Sequence, residues 1–481
     1  MLALVACNDW LDVKPATQID REELLSSEKG YGEAIRGIYS QMSDASLYGR
    51  EMTWGSMDIL AGNYSIVNSS GYYGLRQYLY NTIGDKQQDA EAVNIVGVFW
   101  TKLYNTIAGI NSILDGIGEK EELFSDDNYS VVRGEAIGLR AFLHFELLRM
   151  FGDTYEKSKD VPVLPYVTEL TPKVTPFLSG DNALRIIILQ LEEALTMLEN
   201  DPMRLGTSPS SVLASIPAVS ADNNIHAWHN RRFHFNYYAA KATLARAYLW
   251  RGGDNDKVTA RKLALDVIAE QESRFPWVLE GNLTSIESGA VANQDRTFAT
   301  EHIFALNVTD VEELIAGYLN SLPATIRLFS ENDVFTQDER GSDPRYKYMY
   351  TLYTGKPLLS KFYQLEVVSP YFKFRIPLIR ISEMYYIAAE CAESWQKGSE
   401  YLEAVRERRG MSSMPLNVNS METLQAEILR EYRKEFAGEG QLWFYYKRHQ
   451  ATAIANMTDF PGLDAYVFPI PEDEELYGNR N

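Results

Sequence analysis

The chain has 481 residues, of which 45% are hydrophobic, enough to form one large domain or several smaller ones. Its 66 acidic and 46 basic residues give a net charge of −20, which disfavours binding to nucleic acid or to anionic lipid head groups, because both need clustered Lys and Arg. No stretch approaches the roughly 18 consecutive apolar residues of a membrane-spanning helix. The unusual feature is the count of 30 tyrosines, whose flat apolar face and polar tip suit packing against sugars or peptides.

The first feature along the chain is Cys7, which directly follows Leu4, Val5 and Ala6. A small residue before a cysteine, at the end of an apolar start, is the cleavage and lipidation signal of a bacterial lipoprotein. The stretch before Cys7 is shorter than the apolar region of about 7–15 residues in a complete leader, so we expect the true start to lie upstream. The alternative is an ordinary buried cysteine. If Cys7 carries lipid, Cys391 has no partner in the chain, and its apolar helical surroundings predict a small core residue.

Apolar residues at helical spacing predict helices along most of the chain, after an extended segment at 8–19. Four prolines, from Pro162 to Pro176, interrupt the crossing between the third and fourth helices. Asp181 is the predicted N-cap of the fourth. The predicted helices are 30–42, 96–117, 131–151, 181–199, 235–251, 258–270, 379–396, 400–409 and 421–449.

Two long segments, 43–95 and most of 275–375, lack helical periodicity, as does the shorter 200–230. A loop of about fifty residues inside a compact domain is usually functional or disordered, and the many aromatic residues of the first segment disfavour disorder. Sugar binding by stacking requires exposed rings beside hydrogen-bonding side chains, although each ring could instead pack its own loop. The candidate ligand-binding residues are Trp54, Asp58, Asn63, Tyr64, Tyr72, Tyr73, Arg76 and Tyr78 in the first loop, Trp228 in the middle loop, and Trp277, Asn282, Tyr318 and Asn320 in the last.

A weak repeat runs through the helices. The segment 139–143, Leu-Arg-Ala-Phe-Leu, recurs at 245–249 as Ala-Arg-Ala-Tyr-Leu, and Gly-Asp follows each copy. Small residues admit a neighbouring backbone and the aromatic residue fills the groove, as in a tetratricopeptide helix pair. The copies lie about a hundred residues apart, not the roughly 34 of a tandem array, so either insertions separate them or the match is chance.

No catalytic motif is present: the chain has no Gly-x-Ser-x-Gly elbow, no phosphate-binding loop and no His-Glu-x-x-His. His226 and His229, followed by His234, have ligand-like spacing, but solvated or core-edge histidines are far commoner in a polar loop than metal ligands. The acidic pairs Asp126-Asp127 and Asp338-Glu339 could suggest a glycosidase. That chemistry needs two carboxyl groups that face each other about 5–10 Å apart, which neighbours in sequence do not establish.

The C-terminal helical region carries the most specific motif, an acidic-basic run followed by Glu-Gly, an aromatic pair and Lys-Arg. From Glu431 to Arg448 it reads Glu-Tyr-Arg-Lys-Glu-Phe-Ala-Gly-Glu-Gly-Gln-Leu-Trp-Phe-Tyr-Tyr-Lys-Arg. This motif resembles the C-terminal helix signature of the SusD/RagB family, the surface nutrient-binding lipoproteins of Bacteroidetes-type bacteria. The further segments similar to that family are Cys7 to Asp12, Gly134 to Asp153, Arg380 to Ala392, Val405 to Gly410 and Phe468 to Pro471.

The chain also departs from the family pattern. The family commonly has arginine where Leu442 stands and aspartate where Tyr445 stands, three residues apart, as expected of a pair on one helix face. The tail lacks the family's closing Asn-Pro-Asn. Because both helix changes touch scaffold positions, the fold is not expected to change, but the chain is expected to be a divergent branch whose ligand class is open.

The resemblance implies a mostly all-α fold. Tetratricopeptide-like helix pairs would form a scaffold, and long irregular loops with a few short strands would carry the ligand-binding side. It implies one domain over 8–481, after a truncated lipoprotein signal at 1–7 that ends at the lipidated cysteine. The scaffold would comprise about 30–42, 96–270 and 379–449, and the ligand-binding regions about 43–95 and 275–375.

The resemblance also implies a function. The protein would be anchored by lipid in the outer membrane, bind an oligosaccharide or polysaccharide nutrient at the cell surface, and deliver it to a SusC-like TonB-dependent transporter. From the charge and the motifs we expect no nucleic acid, metal or cofactor and no catalysed reaction. No motif fixes the positions of the family's ligand-binding rings, so none of the candidate residues rests on the family. Short peptides are the alternative ligand. A glycan-active hydrolase and an intracellular repeat scaffold are the alternatives from other classes.

Overall fold

The computed structural model describes residues 16–66, 75, 90–205, 231–283, 294–315, 326–328, 334–353, 356–363, 372–455, 457, 460 and 462–478. Helices dominate this part of the chain. Those of the first half are α1 (Ala16–Leu24), α2 (Glu28–Met42), α3 (Ser56–Leu60), α4 (Ala90–Ile117), α5 (Asn128–Phe151), α6 (Tyr155–Ser158), α7 (Gly180–Met197) and α8 (Pro202–Leu205).

The helices of the second half are α9 (Tyr237–Arg251), α10 (Asp254–Ile268), α11 (Gln271–Arg274), α12 (Gln337–Ser342), α13 (Pro344–Met349), α14 (Ile381–Glu390), α15 (Trp395–Arg408), α16 (Met421–Glu435), α17 (Gln441–Arg448) and α18 (Glu472–Tyr477). No helix in the described ranges is both long and apolar enough to cross a membrane. The mostly all-α fold implied by the resemblance is confirmed.

In the described part of the chain, the strands form short antiparallel pairs. Strands β1 (Tyr64–Ile66) and β5 (Ile326–Leu328) pair with Tyr64 opposite Leu328, and β4 (His302–Asn307) pairs with β8 (Arg375–Arg380). The other two pairs are hairpins, β2 (Pro162–Pro165) with β3 (Phe177–Ser179) and β6 (Tyr350–Tyr353) with β7 (Lys356–Leu359).

The long helices form one continuous stack. Helix α2 packs on α4, α4 on α5, α5 on α7, α7 on α9, α9 on α10, α10 on α14, and α14 on α15 and α16. Most of the buried apolar side chains in the described ranges belong to one core along this stack. Stacked pairs of this kind bury a face that no single pair could bury alone, which is the logic of tetratricopeptide-like repeats.

The repeated arginine has the same use in both copies of the repeat. Arg140 on α5 donates to Asn111 Oδ1 on α4 (2.9 Å) and to the backbone oxygen of Thr168 (3.1 Å). Arg246 on α9 binds Glu383 on α14 and donates to the backbone oxygen of Leu378 in β8 (2.7 Å). Each arginine therefore ties its own helix to a neighbouring helix and to chain outside the stack.

The insertion between α5 and α7 contains the hairpin of β2 and β3, where the prolines were noted in the sequence. His144 holds it from inside the core: its Nδ1 donates to the backbone oxygen of Arg140 (2.8 Å), which leaves Nε2 to accept the N–H of Val167 (3.0 Å). Burial lowers the pKa of His144 to about 3, so the ring is neutral and the acceptor role is available. Tyr104 adds a hydrogen bond to the backbone oxygen of Pro165 (2.8 Å).

Most of the predicted helices exist, with four corrections. The segment expected to be extended at 8–19 is helical from Ala16 onward. The N-cap of α7 is Ser179, whose side chain accepts from the N–H of Asn182, and not Asp181. The helix predicted at 379–396 begins only at Ile381 and ends at Glu390, because β8 comes first.

The fourth correction concerns the helix predicted at 421–449, which is two helices, α16 and α17. Between them, Gly438 (φ 84°) and Gly440 (φ 69°) adopt left-handed backbone conformations. A Cβ on Gly440 would lie 2.1 Å from the backbone oxygen of Met52, so the break needs glycine for space as well as for conformation.

Candidate functional site

Four of the predicted ligand-binding residues are inside the protein. Trp54, Asp58, Asn63 and Tyr64 have exposed fractions of 1%, 0%, 8% and 2%. The indole N–H of Trp54 donates to the backbone oxygen of Gly49 at 3.0 Å. Rings in this position offer no face to a ligand, so the expectation that these four side chains form a binding surface is corrected: they pack their loop onto the helical scaffold.

Asp58 has a structural role. Its carboxylate accepts the backbone N–H of Gly438 (2.5 Å) and of Gly440 (3.0 Å), at the break between α16 and α17. Burial raises the pKa of Asp58 to about 7, against the effect of these hydrogen bonds. Helix α3, which carries Asp58, packs on α17, so the first loop is attached to the C-terminal signature.

That signature contributes four residues to a buried ionic cluster. Glu435 lies at its centre and binds three guanidinium groups: Arg345 (Nη1 to Oε2, 2.9 Å), Arg409 (Nη2 to Oε1, 2.7 Å) and Arg380. Every member is exposed by 4% or less. The ionic cluster consists of Glu301, Glu339, Asp343, Arg345, Lys361, Arg380, Arg406, Arg409, Glu431, Lys434, Glu435 and Glu439.

The ionic cluster pairs six carboxylates with six cations. Burial alone would raise the pKa of Glu435, but the charges of Arg409, Arg380 and Arg345 lower it well below the usual range. The cluster joins the loop-rich middle of the chain to the C-terminal helices. It has the chemistry of a scaffold and not of a catalytic site, because every carboxylate in it is already bound by a cation.

The two departures from the family pattern lie in the same region. Leu442 is 1% exposed and Tyr445 4% exposed. Tyr445 accepts a hydrogen bond from Gln425, and its ring packs on Tyr432 with centroids 4.5 Å apart. Both are scaffold positions, where apolar and aromatic packing occupies sites at which the family commonly has charges.

His234 belongs to a second buried cluster. Its Nδ1 lies 2.8 Å from Glu135 Oε1, and Glu135 also binds Tyr39 (2.5 Å) and Arg231. Arg231 in turn binds Asp201 (2.8 Å). Burial would raise the pKa of Glu135, but Arg231 and His234 lower it to about 2. His234 therefore orients a carboxylate and is not placed as a metal ligand.

Neither the metal nor the hydrolase alternative gains support from the described ranges, in which no three His, Cys, Asp or Glu side chains are arranged to hold a metal ion. Glu339 is buried in the ionic cluster whereas Asp338 is exposed, so the two carboxyl groups face different surroundings. Asp127 accepts a hydrogen bond from Asn200 at 3.0 Å. His226 and His229 lie outside the described residues.

A small cavity lies between α5, α9, α14, α16 and α17, with Arg149, Gln441 and Arg448 among its lining residues. Its volume of about 40 Å³ leaves room for a few waters. Sites for small-molecule ligands usually measure about 300–1,000 Å³. This cavity is therefore too small for a sugar ring.

Trp277, on the loop after α11, is a predicted ligand-binding residue that is only half-buried. Its indole packs against Tyr385 of α14, with ring centroids 5.4 Å apart. Sequence reasoning missed Tyr385, because it lies within an apolar helical run and only the stack brings it beside Trp277. Asn282 is also half-buried. The remaining candidates lie outside the described residues: Cys7, Tyr72, Tyr73, Arg76, Tyr78, Trp228, Tyr318 and Asn320.

Two family models match the chain from its two ends. The model described as the SusD family matches residues 329–479, which include the whole C-terminal signature. The model described as starch-binding associating with outer membrane matches residues 9–196, which include α1 to α6 and all of α7 except its last residue.

Similar proteins match over almost the whole length. SusD-like protein P2 of Formosa agariphila is 24% identical over 544 residues, which cover 100% of this chain and 96% of its own. SusD-like protein P38 of the same organism is 23% identical, and the match covers 97% and 93% of the two chains. Together with the family models, these matches define the class: the chain is SusD-like along almost its whole length.

Solved structures show the same fold. A SusD superfamily protein from Bacteroides thetaiotaomicron superposes with a TM-score of 0.66 at 21% identity, covering 94% of this chain and 98% of its own. Surface glycan-binding protein A from the same organism, solved in complex with laminarihexaose, superposes with a TM-score of 0.62 at 15% identity, covering 95% and 98%.

Proposed function

We propose that this protein is a lipid-anchored, cell-surface binding protein of the outer membrane. It captures an oligosaccharide or polysaccharide nutrient and passes it to a SusC-like TonB-dependent transporter, without cleaving it. The observation that carries the proposal is the similarity to SusD-like proteins over almost the whole chain, together with a matching family model described as starch-binding and associating with the outer membrane. The laminarihexaose complex of a protein with the same fold supports a glycan as the ligand.

The proposed anchor is Cys7 and the proposed arrangement is one domain over 8–481. We retain Tyr72, Tyr73, Arg76, Tyr78, Trp228, Trp277 and Tyr318 as candidates for ligand contact. Two or three stacked rings, each worth about 1 kcal/mol beyond the area they bury, together with a few hydrogen bonds, correspond to dissociation constants of roughly micromolar to millimolar. This range suits capture followed by release.

The ligand is tested by screening the purified protein against arrays of glycans and of short peptides. We expect at least one glycan to bind, and the variants Tyr72→Ala and Tyr73→Ala to bind it more weakly. Binding to peptides alone would replace the glycan with the alternative ligand. Release of shortened products from a bound glycan would mean that the protein is a hydrolase.

The anchor and the partner are tested separately. Mass spectrometry of the mature protein from its native host should find an acylated Cys7 as the first residue, and an unmodified Met1 would contradict the anchor. Purification of the protein from detergent-solubilised outer membranes should bring a TonB-dependent transporter with it. Recovery of the protein without any transporter, under conditions that keep other outer-membrane complexes together, would contradict the delivery step.

A further inference from the structure

An aromatic pair lies at the surface of the helical stack. Trp277, on the loop after α11, and Tyr385, on α14, are both half-buried. Their ring centroids are 5.4 Å apart and their planes are inclined by 37°. The two rings, contributed by two separate elements, therefore pack at a tilt and not as a flat stack.

Buried groups hold Trp277 in place. The guanidinium of Arg409, fully buried in the ionic cluster, lies 5.3 Å from the centroid of Trp277. Glu301, which binds Arg409, also accepts the backbone N–H of Val278 at 3.1 Å. A ring held by a buried cation, on a chain anchored at the next residue, loses little conformational entropy when a ligand binds.

Tyr385 is fixed in a similar way. Its hydroxyl donates to Oε1 of Gln271, which is buried, at 2.6 Å. Arg408 and Glu272 are exposed, and they are the chain neighbours of Arg409 and Gln271, which contact Trp277 and Tyr385. Leu279, two residues after Trp277, is 66% exposed. The rings are thus bordered by an exposed hydrogen-bond donor, Arg408, and an exposed acceptor, Glu272.

We propose that Trp277 and Tyr385 form a platform that binds one sugar ring of a glycan chain, with Arg408 and Glu272 hydrogen-bonding its hydroxyl groups. Sugar rings present an apolar C–H face that stacks on aromatic rings and a rim of hydroxyl groups that needs donors and acceptors beside that face. A rigid aromatic pair between an exposed base and an exposed acid matches both features. This inference rests on the proposed function, because it names a place where the proposed ligand binds.

The test uses calorimetric titration of the full-length protein with the glycan that binds it best in a screen, starting with laminarihexaose and soluble starch. Trp277→Ala and Tyr385→Ala should each weaken binding at least about fivefold, the equivalent of about 1 kcal/mol of stacking per ring. Tyr385→Phe keeps the ring but loses the hydrogen bond to Gln271, so it should weaken binding less than Tyr385→Ala does. Arg408→Ala alters only an exposed side chain and should weaken binding about two- to threefold with no change in melting temperature.

The matched control is Trp395→Ala. Trp395 is another half-buried tryptophan, at the first residue of α15, and about 20 Å along that helix from Arg408. The Trp395→Ala variant should bind glycan as tightly as the unmodified protein does. If the unmodified protein binds a glycan and the Trp277, Tyr385 and Arg408 variants bind it equally well, the platform is refuted and the proposed function stands. If the unmodified protein binds no glycan, both the platform and the proposed glycan-binding function are refuted.

Discussion

Removing the charge of Glu435 tests whether the buried ionic cluster holds the fold together. Glu435→Gln keeps the size of the side chain but leaves Arg345, Arg380 and Arg409 around a neutral group. All four side chains are fully buried, so water cannot replace the lost carboxylate. Breaking a buried ion pair by removing one partner usually costs about 3–5 kcal/mol.

The expected change in melting temperature follows from the size of the chain. The entropy of unfolding is about 2.1 cal/mol/K per residue, which gives about 1 kcal/mol/K for 481 residues. A loss of about 3–5 kcal/mol should therefore lower the melting temperature by about 3–5 °C. Differential scanning calorimetry measures this shift directly.

The control is Glu400→Gln, which breaks an ion pair to Lys397 whose side chains are 61% and 40% exposed. Water and salt screen such a pair, so the melting temperature should stay within about 1 °C of the unmodified protein. If Glu435→Gln lowers the melting temperature no more than Glu400→Gln does, the ionic cluster does not stabilise the fold.

Gly440→Ala should lower the melting temperature by at least about 1–2 °C, because its φ of 69° is left-handed and a Cβ would meet Met52 O at 2.1 Å. Gly97→Ala, with open space around it in α4, should raise stability by about 0.5–1 kcal/mol. The pKa of Glu135 is lowered from 4.5 to about 2, so its stabilising effect is complete above pH 4.5 and lost as the pH falls toward 2. In urea unfolding, Glu135→Gln should therefore have a much lower free energy of unfolding than the unmodified protein at about pH 7. The difference in free energy should become smaller at about pH 3.

The helices could be predicted because their pattern is local. Apolar residues three and four apart in 96–117 and 131–151 lie on one face whatever the rest of the chain does. The ends of helices were harder to place, since Ser179 and Asp181 are both good N-caps, and the choice depends on where β3 ends. The two glycines between α16 and α17 were visible in the sequence, but the clash with Met52 that explains them was not.

The ionic cluster could not be predicted, because its partners are far apart in the chain. Glu431, Glu435 and Glu439 recur every four residues, which is a detectable sign of a shared face. Their partners Arg345 and Arg380 lie on other elements, and only folding brings them together. Charged residues are rarely buried unless they are paired, so the sequence alone favours a solvent-exposed position for an acidic run.

The candidate site showed the same limit. Composition predicted that aromatic loop residues bind ligand, yet Trp54 and Tyr64 are buried while Trp277 is only half-buried. Whether a ring faces a ligand or its own loop depends on tertiary contacts that composition does not contain. Tyr385, within an apolar helical run, could be recognised only from its distance to Trp277.

The most direct measurement is a calorimetric titration of the purified protein with the glycans selected by the screen, followed by mass analysis of each glycan recovered afterwards. Our account predicts saturable binding with a dissociation constant of roughly micromolar to millimolar and recovery of the glycan intact. Heat of binding with peptides only, or shortened glycan in the recovered sample, would contradict it.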